Sequence, residues 1–482
     1  MNFLKYSRFI LILALLVLAG CETLTSLRQD FSDKVFGREP PNPPAALNEF
    51  KPSYTAKIDW SSSIGKTERY DFTPALDSSA VYANNAAGEI VKLDATNGRQ
   101  VWRINVGEPI SGGIGIGAGI LIVGSKAGYV HAYDVAGKAL WKAKVSSEIL
   151  SVPRYFDGMV IARTGDNHIF GLDATDGSRK WVYERTTPAL SLRSSVGLVV
   201  DSGAVYAGFA GGKMVAIRAD NGKLLWEATV AQPKGVTEIE RIADITSLPV
   251  IDGPLVYAVA YQGRVAAVDR RSGKVLWNRD ISSYSGMSSQ DGKLFVSHAL
   301  GSVYSLDYET GKTFWRQAGL VNRRLTAPLP VGSVVALGDL EGYVHFLTRD
   351  DGSFAARIKL DSNAVMSLIP GASSSQLIAE TRDGGIYAIS IAEIGATTPT
   401  KESISKESVS KQPVKRSEPA PEPAKAESKS ESKSESSAPE TSNTERSIMF
   451  QKDPILQPDE APKSTPLQDS GGPGIKLPSS EP

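Results

Sequence analysis

Four histidines, one cysteine, a recurrent set of aspartates and a glycine-rich run are the residues whose types could carry chemistry in this chain. Imidazole, thiolate and carboxylate groups ligate metals or move protons only when several converge on one point. The spacing argues against convergence. His131 and His345 occupy one phase of a repeat in different copies, so their likeness reflects the repeat, and with His168 and His298 they read as satisfied strand histidines. Asp94, Asp134, Asp173, Asp269 and Asp307 follow the first strand of successive copies too regularly for catalytic acids and suit the organisation of hairpin turns. "SGGIGIGAGILIVG" at 111–124 lacks the GxGxxG spacing of a dinucleotide loop and is followed by no helical pattern. Cys21, the only cysteine, excludes disulfide frameworks and cysteine-based zinc sites. No catalytic residue, metal site or cofactor is expected from these patterns.

The elements that hold these residues come from a repeat of about forty residues. "GEIVKLDATNGRQVW" (Gly88 to Trp102) recurs in six further copies, the last being "GYVHFLTRDDGSFAA" (Gly342 to Ala356). An eighth half-copy, "GGIYAIS" at Gly384 to Ser390, lacks its turn and tryptophan, while "AKIDW" at Ala56 to Trp60 has only that missing half. All seven tryptophans, Trp60, Trp102, Trp141, Trp181, Trp226, Trp277 and Trp315, share one phase, and Ala356 is the single replacement. Apolar residues on both faces of the first strand, with "TNG", "TDG", "DNG" and "RSG" turns after it, describe hairpins stacked between neighbouring sheets. Four strands per repeat predict an all-β chain, an eight-bladed β-propeller of four-stranded blades. The split copy predicts closure by pairing of the N- and C-terminal strands. The tryptophans are expected to be structural, each buried between adjacent blades.

The flanks have other compositions. Lys5 and Arg8 precede the short aliphatic run Ile10 to Leu18 and "LAGC", the layout of a secretory signal. The tetrad resembles a bacterial lipobox, which implies cleavage after Gly20, lipidation of Cys21 and, with Glu22 following, an outer-membrane lipoprotein facing the periplasm. Domains are expected at 1–20 (signal), 21–53 (lipidated, Pro-interrupted tether), 54–391 (propeller) and 392–482 (tail). Ser, Glu, Lys and Pro dominate the tail, leaving too little apolar surface to offset ordering entropy, so it is expected to be disordered. Lys plus Arg and Asp plus Glu balance at 53 each, which gives no support to a nucleic-acid partner.

The repeat is stretched in two places. Tryptophan-to-tryptophan intervals run from 38 to 42 residues except for two consecutive ones, 45 from Trp181 to Trp226 and 51 from Trp226 to Trp277. The extra residues, "TTPALSLRSS" (Thr186 to Ser195) and "GVTEIERIADITSLP" (Gly235 to Pro249), share one phase, so in a ring they meet on one rim. Leu190, Leu192 and Arg193 in the first, with Glu238, Glu240, Arg241 and Asp244 in the second, combine apolar anchors with directional charges. Ile239, Ile242 and Ile245, three apart, predict one helical turn with its apolar side on the blade.

At these residues the sequence resembles the BamB family, the propeller lipoproteins of the outer-membrane β-barrel assembly machinery. The resemblance runs from Cys21 to about Ser390 and is most specific at "LSLR" and "TEIERIADITSLPV". It implies a non-enzymatic scaffold that binds the periplasmic POTRA domains of BamA and promotes insertion of outer-membrane barrels. It assigns the contact to Leu190, Leu192, Arg193, Glu240, Arg241 and Asp244, and Thr246 departs from an acidic residue often found there in the family. Exposed blade edges also suit capture of unfolded barrel clients by strand addition. The repeat is similar, too, to the tryptophan-docking blades of quinoprotein dehydrogenases, which bind pyrroloquinoline quinone with a cysteine pair, calcium and a catalytic aspartate. A periplasmic enzyme of that kind is the alternative, on a chain with neither the cysteine pair nor a recognisable calcium cluster.

Overall fold

The computed structural model describes residues 42–395, apart from Thr187, Ala189, Arg193 and Ser194. Eight four-stranded antiparallel sheets follow one another along the chain. Seven take consecutive strands, at 75–105, 115–144, 154–183, 198–229, 250–279, 286–317 and 329–359. The eighth combines Val365–Pro370, Gln376–Thr381 and Gly385–Glu393 with the N-terminal strand Tyr54–Ser63, paired from Tyr54 opposite Glu393 to Ser63 opposite Gly385 with a bulge between Ile58 and Trp60. The predicted closure is therefore present, and the pairing continues two residues beyond Ile391.

Burial explains the strand compositions. Second strands such as Ala80–Asn84 and Ala204–Phe209 are buried at every position, whereas fourth strands such as Gln100–Asn105 expose alternate residues. A strand covered on both faces carries a continuous apolar run; an outer strand needs only half of one. The apolar core is distributed accordingly in seams between blades. One such cluster joins Ile161, Ile169 and Trp181 of the third blade to Leu198, Val205 and Phe209 of the fourth.

Each tryptophan docks on the following blade. The indole N–H donates to a backbone carbonyl there at 2.8–3.3 Å in all seven cases, from Trp60 to Ala95 O through Trp315 to Arg349 O. The ring covers a turn glycine, and a Cβ on Gly222 would lie 2.6 Å from the Trp181 indole. Glycine is needed there twice over, for φ of +71° and for room beneath the ring. The turn aspartates are as expected: Asp94, Asp134, Asp173, Asp269 and Asp307 each accept a backbone N–H two or three residues on, at 2.8–2.9 Å.

The exception at Ala356 follows from the closure. A tryptophan there would face the turn joining the third and fourth strands of the eighth blade, and the chain makes no such turn. Both strands run on past that level, with Ile391 opposite Ala56 and Ala392 opposite Thr55. Ala355 and Ala356 instead pack in an aliphatic seam with Ile389, Ile391, Ala56 and Ile58.

The expected tether needs one correction, because its last part is docked on the seventh blade. Ala45 N donates to Val321 O at 2.9 Å and Ser53 N to Ala355 O at 3.0 Å, while Phe50 stacks on Phe354 with centroids 5.4 Å apart. Beneath it lies a buried charge network. Arg323 donates to Ala45 O and to Asp339 at 2.7 Å, Asp339 lies 2.8 Å from His345 Nε2, and Arg357 donates to His345 Nδ1 at 3.1 Å and to Asn48 O at 3.1 Å. The folded body thus begins before Tyr54. Cys21 and the tail from residue 396 lie outside the described residues.

Candidate partner-binding rim

The rim is built from the connections that leave the fourth strands of the third and fourth blades, Arg179–Tyr183 and Leu224–Thr229. The two insertions meet, as their shared phase predicts. The Asp244 carboxylate joins them: Oδ2 accepts the Leu192 N–H at 2.7 Å, and Oδ1 accepts the N–H of Gly211 at 2.9 Å, in the short 3-10 turn Ala210–Gly212 of the fourth blade. Its own carbonyl accepts Tyr261 N at 2.8 Å. Ile245 N then bonds Phe209 O at 3.2 Å, and a Cβ on Gly208 would lie 2.2 Å from the Ile245 side chain. Asp244 is only 4% exposed, so it positions the rim from within rather than forming its outer surface.

The predicted helical turn is present only in part, and its isoleucines do not share a face. Arg241 N bonds Thr237 O and Ile242 N bonds Ile239 O, after which the chain extends to reach Phe209. Ile245 is buried, Ile242 is half-buried and Ile239 is 68% exposed. The turn closes by a reciprocal cap. Glu240 Oε2 accepts Val236 N and Thr237 N at 2.8 and 3.1 Å, while Glu240 N donates to Thr237 Oγ1 at 3.3 Å. Those backbone N–H groups hold the Glu240 carboxyl below its ordinary range. Arg241 is exposed and lies 3.8 Å from Glu238, a weak surface pair.

The two insertions expose apolar side chains: Leu190 at 45%, Leu192 at 37%, Val236 at 95% and Ile239 at 68%. Arg193 lies outside the described residues. Thr246 turns inward, its hydroxyl buried without a hydrogen-bond partner among the described residues. One residue escaped the sequence reading. Arg163 of the third blade lines a small recess with Leu192 and Asp244, donates to Gly208 O and Asn167 Oδ1 at 2.7 Å, and lies over the Phe209 ring. Burial pushes its guanidinium down to about 10. The signal was available, because most other blades place glycine or a small or apolar residue in that phase.

Three of the four histidines are hydrogen-bonded, while His168 Nδ1 is close to a carboxylate without a hydrogen bond among the described residues. His131 Nε2 lies 2.7 Å from Glu108, His168 Nδ1 lies 3.1 Å from Asp166, and His298 Nδ1 accepts Leu300 N at 3.0 Å. Burial holds His131 and His345 below the ordinary imidazole value. A different group stands out in the eighth blade: Glu380 is fully buried, both its oxygens lack a partner among the described residues, and burial pushes its carboxyl up to about 8.

The family model described as "Outer membrane protein assembly factor BamB" matches residues 86–317 and 299–408. The chain belongs to the BamB family. The BamB protein of Burkholderia pseudomallei is 38% identical over 375 residues, which span 78% of this chain and 95% of that one. BamB of Pseudomonas aeruginosa is 40% identical over 327 residues, 67% of this chain and 86% of that one. Among solved structures, BamB from Moraxella catarrhalis superposes with a TM-score of 0.64 at 25% identity, covering 70% of this chain and 100% of that one. A quinohemoprotein alcohol dehydrogenase from Comamonas testosteroni shares the fold at TM-score 0.57 and 14% identity, over 70% of this chain and 76% of that one. That likeness concerns architecture alone, whereas the sequence relatives are named as BamB assembly factors.

Proposed function

We propose that this chain is a non-catalytic scaffold of outer-membrane protein assembly, lipidated at Cys21 and facing the periplasm, whose rim binds the POTRA domains of BamA. Leu190, Leu192, Arg193, Glu240 and Arg241 form the contact, with Asp244 positioning it. The observation that carries this reading is the Asp244 bridge, which fixes two insertions side by side with their leucines exposed. Solvent-facing apolar groups next in sequence to an arginine are what a protein partner buries at an interface core. Bound in this way, the propeller assists insertion of barrel clients by holding BamA.

Capture of BamA by the full chain tests the assignment. Leu192→Asp keeps the backbone N–H that Asp244 binds, and Arg193→Glu reverses a single charge, so both variants should fold. Each is expected to weaken capture by at least about 10-fold, the scale of one interface anchor. Capture equal to the parent by both variants removes the rim assignment. Cys21→Ala is expected to release the protein from the membrane fraction. Added pyrroloquinoline quinone and calcium are expected to give no dye reduction with alcohols, and saturable reduction would favour the enzyme alternative.

A further inference from the structure

The middle of the ring holds a cavity of about 620 Å³, walled by the first strands of the blades and the segments leading into them. That volume lies within the range of sites for small ligands or chain ends. Its charged lining is unbalanced, since Arg154, Arg324 and Arg382 stand against one acid, Asp71. The arginines are weakly engaged by the protein. Arg154 Nε reaches Leu198 O and Arg382 Nη1 reaches Glu68 O, both at 3.4 Å, the far limit of hydrogen bonding. Arg324 is exposed with φ of +47°, and its charge bears on Tyr284. Asp71 is already bonded by Ser195 Oγ at 3.1 Å. The rest of the wall includes Leu248 and Met366, and Leu248 is 40% exposed.

Guanidinium forks whose donors are largely unused among the described residues recognise planar oxyanions, while the exposed leucine and tyrosine offer cover to an apolar group. Asp71 discriminates between anions, because its charge opposes a doubly charged phosphate more than a single carboxylate. We propose that the central cavity binds a carboxylate carried on an apolar stem, with Arg324 and Arg382 pairing the carboxylate and Leu248, Tyr284 and Met366 covering the stem. Two sources share this chemistry, the C-terminal residue of a polypeptide with an apolar last side chain and a free fatty acid. Ser195 and Leu248 belong to the segments that also build the rim, so the site lies directly behind it.

Calorimetric titration of the full chain provides the test, with three probes: an acetylated tetrapeptide ending in phenylalanine as the free acid, the same peptide as its C-terminal amide, and decanoate. Saturable binding of the acid peptide, at least about 10-fold tighter than its amide, supports the site. Saturable binding of decanoate supports it as well, and the tighter of the two acids identifies the source. In the Arg324→Gln, Arg382→Gln double variant the preferred acid is expected to lose at least about 10-fold in affinity while the melting temperature holds. Equal affinity for acid and amide without decanoate binding, absence of saturation by either acid up to millimolar concentration, or full affinity in the double variant overturns the proposal. BamA capture is read separately, so failure here leaves the rim assignment standing and the converse.

Discussion

The fourth blade is held to its neighbours in two ways. On the outside of the ring Trp181 reaches across from the third blade, donates to Ala219 O at 3.0 Å and lies on Gly222, as six other tryptophans do on their own neighbours. At the rim the two insertions are joined to the blade through one carboxylate, Asp244, which takes the Leu192 and Gly211 N–H groups. The outer contact buries a large ring and survives small changes in position, because area is its main contribution. The rim contact depends on two directional hydrogen bonds to one group. Repetition serves stability here, and the rim contact serves shape.

Perturbing each side separates the two. Trp181→Ala removes a buried ring and is expected to cost about 3–5 kcal/mol of unfolding free energy, measured by urea denaturation. Next comes Glu380, which shows that the ring contains a weakness of its own. Its folded pKa of about 8 lies above the ordinary 4.5, so its protonated form stabilises the fold fully below pH 4.5. That contribution fades as pH rises and is gone above about 8, because the unfolded chain gives up the proton first. Glu380→Gln is expected to flatten this slope, which melting temperatures across pH 4.5 to 8.5 check.

Ala356→Trp restores the repeat at the one junction where no turn receives the ring, and overpacking is expected to cost about 1–3 kcal/mol in the same urea assay. A gain in stability would break the account of that junction. Asp244→Ala is expected to have the smallest global effect, about 1 kcal/mol, with a larger local one. Amide exchange at Leu192 and Gly211 should accelerate selectively, and BamA capture should fall although no outward-facing group has been removed.

The same contrast governs what could be read from the sequence. Seven tryptophans in one phase made the ring, its blade count and its closure legible, since each copy repeated the message. The meeting of the insertions was legible from their shared phase. The inward role of Asp244 was not, because nothing in "ADIT" indicates that its carboxylate binds a backbone N–H in the preceding insertion. The isoleucine spacing misled for a related reason: Ile245 follows the backbone bond to Phe209 rather than helical periodicity. Arg323 and the docking of residues 43–53 were hidden because Pro-rich composition reports local stiffness, not a tertiary partner.

Closure of the eighth blade has a consequence for the order of events in synthesis. Tyr54–Ser63 emerges among the first residues of the folded body, and its pairing partner Gly385–Glu393 emerges last. Until then the growing chain carries one unpaired edge, and the first blade lacks the neighbour that supplies Trp60. Ring formation is therefore a late event of very high contact order. A chain cut short before Gly385 never completes it, so the last strand made acts as a check that the ring, though not the residues after Glu393, has been translated in full.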